Sequence, residues 1–116
     1  MTERVIGGFY EVYNQLGYGF LESIYCRGLE HVLRRDGLLV EREYPAPVRL
    51  YGTQVGLHRI DLLVERRGIV EVKSTELLSP FTKRQLRNYL RALHLEVGLI
   101  LHFGPEARFT RMVERV

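Results

Sequence analysis

Two acids and an amine stand in adjacent apolar runs of this chain. Asp61 interrupts Ile60-Asp61-Leu62-Leu63-Val64, and Glu71 and Lys73 punctuate Ile69-Val70-Glu71-Val72-Lys73. Arg66-Arg67-Gly68 between the runs reads as a tight turn. A hairpin with residues 65 to 67 at its tip pairs 64 with 68 and 62 with 70, and sets 61 across from 71. Side chains alternate along a strand, so Lys73 shares a face with Glu71. Like charges directly opposite each other destabilise a sheet. A divalent cation resolves the conflict, because hard cations take carboxylate oxygens as ligands. A lysine beside such a cation can orient a water or stabilise developing negative charge. The simpler reading of the same residues is an exposed, salt-bridged face on which Lys73 neutralises one acid.

The elements that must hold these residues follow from periodicity. Residues 3 to 16 are helical, with Val5, Ile6, Phe9, Val12, Tyr13 and Leu16 at three- and four-residue steps. Gly17 and Gly19 interrupt the pattern, and Gly19 relieves a tight turn between helices. A second helix runs from about Leu21 to Arg35 and stops near Gly37. Strands are expected over Leu39–Leu50, bent near Pro45 and Pro47, over Val55–Glu65 and over Ile69–Ser74. Ser79-Pro80 opens a helix over 80–95, with Leu86, Tyr89, Leu90 and Leu93 on its apolar face. Val97–Phe103 reads as a strand covered on both faces, and Phe109–Val113 as a last strand. The order α-α-β-β-β-α-β-β makes one α/β domain over 1–116, with a mixed sheet flanked by helices. Ile60, Leu62, Val64, Val70 and Val72 are expected on one side of that sheet, and Asp61, Glu71 and Lys73 on the other.

Composition sets bounds. Of 116 residues, 46% are hydrophobic and 27% charged, enough for a small core in a soluble protein. A net charge of +3 is compatible with a polyanionic partner without demonstrating one. The single cysteine, Cys26, excludes an internal disulfide and a cysteine zinc cluster. No apolar run reaches membrane-spanning length and no signal-type segment opens the chain, so a cytoplasmic location is expected.

Three more residues complete a pattern. Glu22 opens the second helix within Gly19-Phe20-Leu21-Glu22-Ser23-Ile24-Tyr25, and Gln85 and Tyr89 lie one turn apart on a helix face. With these, the chain resembles the GxxExxY family of the PD-(D/E)XK nuclease superfamily. Gly19, Glu22 and Tyr25 match the motif in the family's name. Asp61 and Glu71-Val72-Lys73 look like the superfamily's core acids and lysine, and Gln85 and Tyr89 resemble the QxxxY motif of recombination exonuclease domains. The superfamily's nominal proline is missing, since His58-Arg59-Ile60 precedes Asp61. Tyr13 stands where relatives often carry a histidine, and no role is assigned to it.

The resemblance implies a restriction-endonuclease-like α-β-β-β-α-β core and phosphodiester hydrolysis assisted by Mg²⁺ or Mn²⁺. It implies Asp61 and Glu71 as metal ligands, Glu22 as a third acid and the Val72 carbonyl as a further ligand. Lys73 would position the nucleophile, and Gln85 and Tyr89 would orient the nucleic-acid strand or the acids. DNA is favoured over RNA as substrate, and a homodimer is compatible with embracing a duplex. Each motif has a plainer reading. Glu22 suits the helix dipole, Tyr25 suits the core with its hydroxyl satisfied, Gln85 suits an exposed helix face and Tyr89 an apolar stripe. Lys83, Arg84, Arg87 and Arg91 band the helix of Gln85 and serve either as a solvated face or as phosphate contacts. None of His31, His58, His94 and His102 has metal-ligand spacing. Strand parity turns His58 away from the acids. Two other functions stay open: a nucleic-acid-binding or assembly module with weak or no cleavage, and a structural protein that dimerises through a sheet edge.

Overall fold

A computed structural model describes residues 1–115. Helices α1 (Thr2–Leu16) and α2 (Glu22–Arg35) precede strands β1 (Val40–Leu50), β2 (Thr53–Val64) and β3 (Gly68–Lys73). Helix α3 (Phe81–Leu93) then leads to β4 (Val97–Phe103) and β5 (Ala107–Val113). The strands form one five-stranded sheet in the order β1-β2-β3-β4-β5. Only the β3–β4 pair is parallel, as a helical crossover between them requires.

Two cores flank the sheet. On one face, Val5, Phe9 and Val12 of α1 and Tyr25, Leu29 and Leu33 of α2 pack on Leu62, Val64, Val70, Val72 and Leu101. On the other, Leu86 and Leu90 of α3 pack on Ala46, Ile60, Leu63, Ile69 and Ile100. Gly98 permits the close approach of α3, since a Cβ there would lie 2.9 Å from Leu86 carbons. The last turn of α3 ends earlier than periodicity suggests, at His94 in the left-handed region (φ 55°).

The three β2–β3 pairs that form have the expected register, Leu62 with Val70, Leu63 with Ile69 and Val64 with Gly68. The ladder stops there: the expected pair of Asp61 with Glu71 does not form, and Asp61 lines a cleft with Glu22 and Cys26 instead of sharing the face of Glu71 and Lys73. The hairpin's three-residue tip carries Glu65 and Arg66 at positive φ, closed by Arg67 N–H donating to the Val64 carbonyl at 3.0 Å. A second expectation fails. Ile60 does not share a face with Leu62; it belongs with Leu63 to the core under α3. Alternation breaks between them, at Asp61. The facing position on β1, Glu43, is in the left-handed region (φ 55°), and neither residue has a partner in the otherwise regular register from 40↔64 to 48↔56. Beyond this break β2 pairs with β1 alone.

Candidate active site

The break determines where the acids go. The β2–β3 ladder ends at Leu62↔Val70, so the Val72 N–H has no strand partner on that side. Asp61 turns into the gap, and its Oδ2 accepts from Val72 N at 2.7 Å. One residue pair further along β3, Ser74 N donates to Glu22 Oε2 at 3.2 Å. Two carboxylates thus cap consecutive outward amides at the end of β3. A residue's N–H and C=O point to the same edge of a strand, so the Val72 carbonyl is directed to the edge where Asp61 sits.

The sequence around Glu22 builds its position. Gly17 (φ 74°) and Gly19 (φ 115°) form a link that residues with a Cβ rarely adopt. Tyr25 is buried, stacked on Phe103 at 4.1 Å between ring centroids. Its hydroxyl donates to the Gly17 carbonyl at 2.5 Å and accepts from Phe20 N at 3.2 Å. Ser74 Oγ donates to the Phe20 carbonyl at 2.5 Å, tying this link to β3. Gly19, Glu22 and Tyr25 therefore act as one device: a bend, the acid it presents and the clamp that holds it. Tyr13 serves packing, donating to the Gly104 carbonyl at 2.7 Å.

Glu71 approaches from the α3 side. It is only 6% exposed, and its Oε1 has no hydrogen-bond partner. Burial, and then the adjacent Asp61 carboxylate, push its carboxyl up to about 9, with Lys73 opposing. Lys73 is half-buried and makes no ion pair among the described residues, so the salt-bridged reading of this face is not what the side chains do. Cys26 records how close the acids are. Its thiol is pushed up first by burial, then by Asp61, Glu22 and Glu71 in turn. A cleft of about 200 Å³ on the α2 side is lined by Glu22, Cys26, Arg42, Glu43 and Asp61. Among the described residues no three of His, Cys, Asp and Glu already stand at ion-holding distances.

A hard divalent cation fits these groups chemically. The donors are carboxylate oxygens, one of them buried and orphaned, and a positive charge there would relieve the Glu71–Asp61 conflict. Asp61, Glu71 and Glu22 are the side chains available to hold it.

His58 corrects the parity argument. Because alternation breaks at Asp61, His58 lies on the α3 face, with Nε2 3.5 Å from Glu71 Oε1. Its ring stacks on Tyr89 at 3.8 Å and 5°. Burial lowers its tendency to protonate, with Asp61 opposing, and burial followed by Glu71 raises the Tyr89 phenol. Periodicity gave no warning of this, since Glu43 is not a residue that marks a left-handed position. Arg42 is a second residue the motifs omit. It lines the acid cleft from β1, and its Nε lies 3.4 Å from Glu30.

The other nominated residues divide. Tyr89 reaches the acid centre through His58, whereas Gln85, one turn earlier, is exposed. Lys83, Arg84, Arg87 and Arg91 are all exposed. Arg87 and Arg91 pair with Glu114 at 3.2 and 3.0 Å, on the flank of α3 turned away from Tyr89. That band is therefore not continuous with the acids.

A family model described as PD-(D/E)XK nuclease superfamily matches residues 1–116. No curated protein matches the sequence. Among solved structures, one described as "Crystal structure of SSO0001" superposes with a TM-score of 0.60 at 21% identity, over 81% of this chain and 50% of that one. The chain thus spans about half the length of that protein, and the likeness is one of fold.

Proposed function

The chain belongs to the PD-(D/E)XK nuclease superfamily and has its restriction-endonuclease-like fold, and from that premise we propose that it is a divalent-metal-dependent nuclease of the GxxExxY type. The observation that carries the reading is the Asp61–Glu71 pair at the strand gap, with one orphaned buried oxygen and Lys73 on the same strand. In a protein without a cation the pair is an electrostatic cost, and nothing in the core requires it.

In this reading Asp61, Glu71 and Glu22, with the Val72 carbonyl, hold Mg²⁺ or Mn²⁺. When bound, the cation supplies Lewis-acid activation of the phosphate and of the attacking water. The protein's own groups do the rest. Lys73 stabilises negative charge that grows on the phosphate oxygens. His58, its ring held by stacking on Tyr89 and its Nε2 3.5 Å from Glu71 Oε1, keeps that carboxylate from turning aside. Gln85 is placed on the exposed turn before Tyr89 to meet the strand. The substrate is nucleic acid, DNA in preference to RNA, by likeness to recombination exonuclease domains.

The test is a cleavage panel on linear, circular, single-stranded and duplex DNA, with and without Mn²⁺. We expect metal-dependent cleavage by the wild type, and its loss by at least a hundredfold in Glu71→Ala and Lys73→Ala while circular dichroism stays unchanged. Unaltered cleavage in both variants contradicts the reading. Binding of nucleic acid without cleavage by the wild type would instead favour a binding module on the same fold.

A further inference from the structure

Past Asp61 the β1–β2 hairpin parts from β3; its base, with Ala46 and Ile60, packs under α3, and its outer end projects as an arm. Its strands pair from Tyr44↔Ile60 to Leu50↔Thr53, a reach of roughly 20 Å at the usual rise per residue. From Tyr44 to Ile60 it holds no acidic residue, but it carries Arg49, His58 and Arg59. Tyr51 at its tip is 99% exposed, and Leu50, Val55 and Leu57 are also in solvent. Between this arm and α3 runs a cleft of about 380 Å³ whose polar lining is Arg49, Asn88, Arg91 and His94, with no acid among its lining residues. None of its lining residues belongs to the acid centre, but two of them are chain neighbours of groups beside it. Pro47 in its wall follows Ala46, the partner of His58, and Asn88 precedes Tyr89. Glu114 holds Arg91 Nε at 3.0 Å and Arg87 Nε at 3.2 Å, so one carboxylate faces two guanidiniums and the wall keeps a net positive charge.

We propose that this cleft is a subsite for one strand of nucleic acid, in which Arg49 and Arg91 meet backbone phosphates, Asn88 hydrogen-bonds the backbone, and Tyr51 stacks on a base. The inference rests on the nuclease reading and adds a contact for the strand outside the acid centre. Charge decides the occupant. A second copy of the chain would bring two cationic arms together, whereas a polyanion complements them. An exposed aromatic beside arginines is also the chemistry that grips single strands without reading sequence.

The test uses the full chain, a fluorescent single-stranded oligonucleotide, EDTA to prevent cleavage, and anisotropy over a range of salt. Arg49→Ala is expected to weaken binding about 3- to 10-fold and to reduce the log–log salt slope by about 0.7. Tyr51→Ala is expected to weaken binding about 5-fold or more and leave the slope alone. Both positions are exposed, so thermal melts should match wild type. If the wild type binds and cleaves but both variants bind as it does with the same slope, the subsite is wrong and the nuclease reading stands. A wild type that neither binds nor cleaves overturns both. A Tyr51→Ala chain that goes from dimer to monomer in light scattering, with binding unchanged, gives the arm to a second copy and overturns the proposal.

Discussion

Glu71 is a carboxylic acid whose folded environment opposes its charge. Burial and the Asp61 carboxylate raise its pKa from 4.5 to about 9, so between those values the folded chain holds a proton that the unfolded chain has lost. The sign follows: in metal-free protein, stability contributed by this group falls as pH rises through that window, with a limiting slope of about 1.4 kcal/mol per pH unit. Glu71→Gln should therefore be more stable than wild type near pH 8 in EDTA, and its denaturation midpoint should lose most of this pH dependence. Urea titrations at several pH values check it. A wild type whose stability is flat from pH 5 to 9 would contradict the burial argument. Asp61, Glu71 and Lys73 could be named from type and spacing, whereas Glu22, Gln85 and Tyr89 are named through the family resemblance. His58 could not be named so, because its direction depends on the break at Asp61, and a left-handed glutamate at position 43 leaves no trace in hydrophobic alternation.

At the scale of elements, the site depends on two departures from regular structure: the gap between β2 and β3, and the glycine link before α2. The link is fixed by a single phenol. Tyr25→Phe removes one donor–acceptor group that serves both Gly17 and Phe20, leaving a part-buried carbonyl and amide less well satisfied. We expect a loss of about 1–3 kcal/mol in chemical denaturation, together with weaker metal binding as Glu22 loses its support. Unchanged stability would mean that the ring alone, through Phe103, holds the link. Element types and most boundaries were readable from periodicity, and so was the hairpin register, because Val64 and Gly68 bracket a short turn. The projecting arm was less so. Its strands look like sheet strands, and only the shortness of the β2–β3 ladder reveals that three-quarters of β2 has a single neighbour.

For the whole molecule, one sheet is shared by two cores, and the acids lie at the seam between them. Both helical layers must be in place for Glu22 and Glu71 to approach the same gap. Leu90 of α3 is fully buried against the sheet. Leu90→Ala should cost about 2–5 kcal/mol, a large share of the 5–15 kcal/mol typical of a domain. Its melting temperature should drop and any activity should fall with it, whereas site variants should lose activity while still folded. A melt unchanged in Leu90→Ala would show that α3 is not part of the cooperative unit. No helix among the described residues is long and apolar enough to cross a membrane. The most direct test of the account is calorimetric titration of Mn²⁺ into wild type and Asp61→Asn near neutral pH. The account predicts saturable binding by the wild type, lost or weakened at least tenfold in the variant with its fold retained; equal binding by both, or none by the wild type, would contradict it.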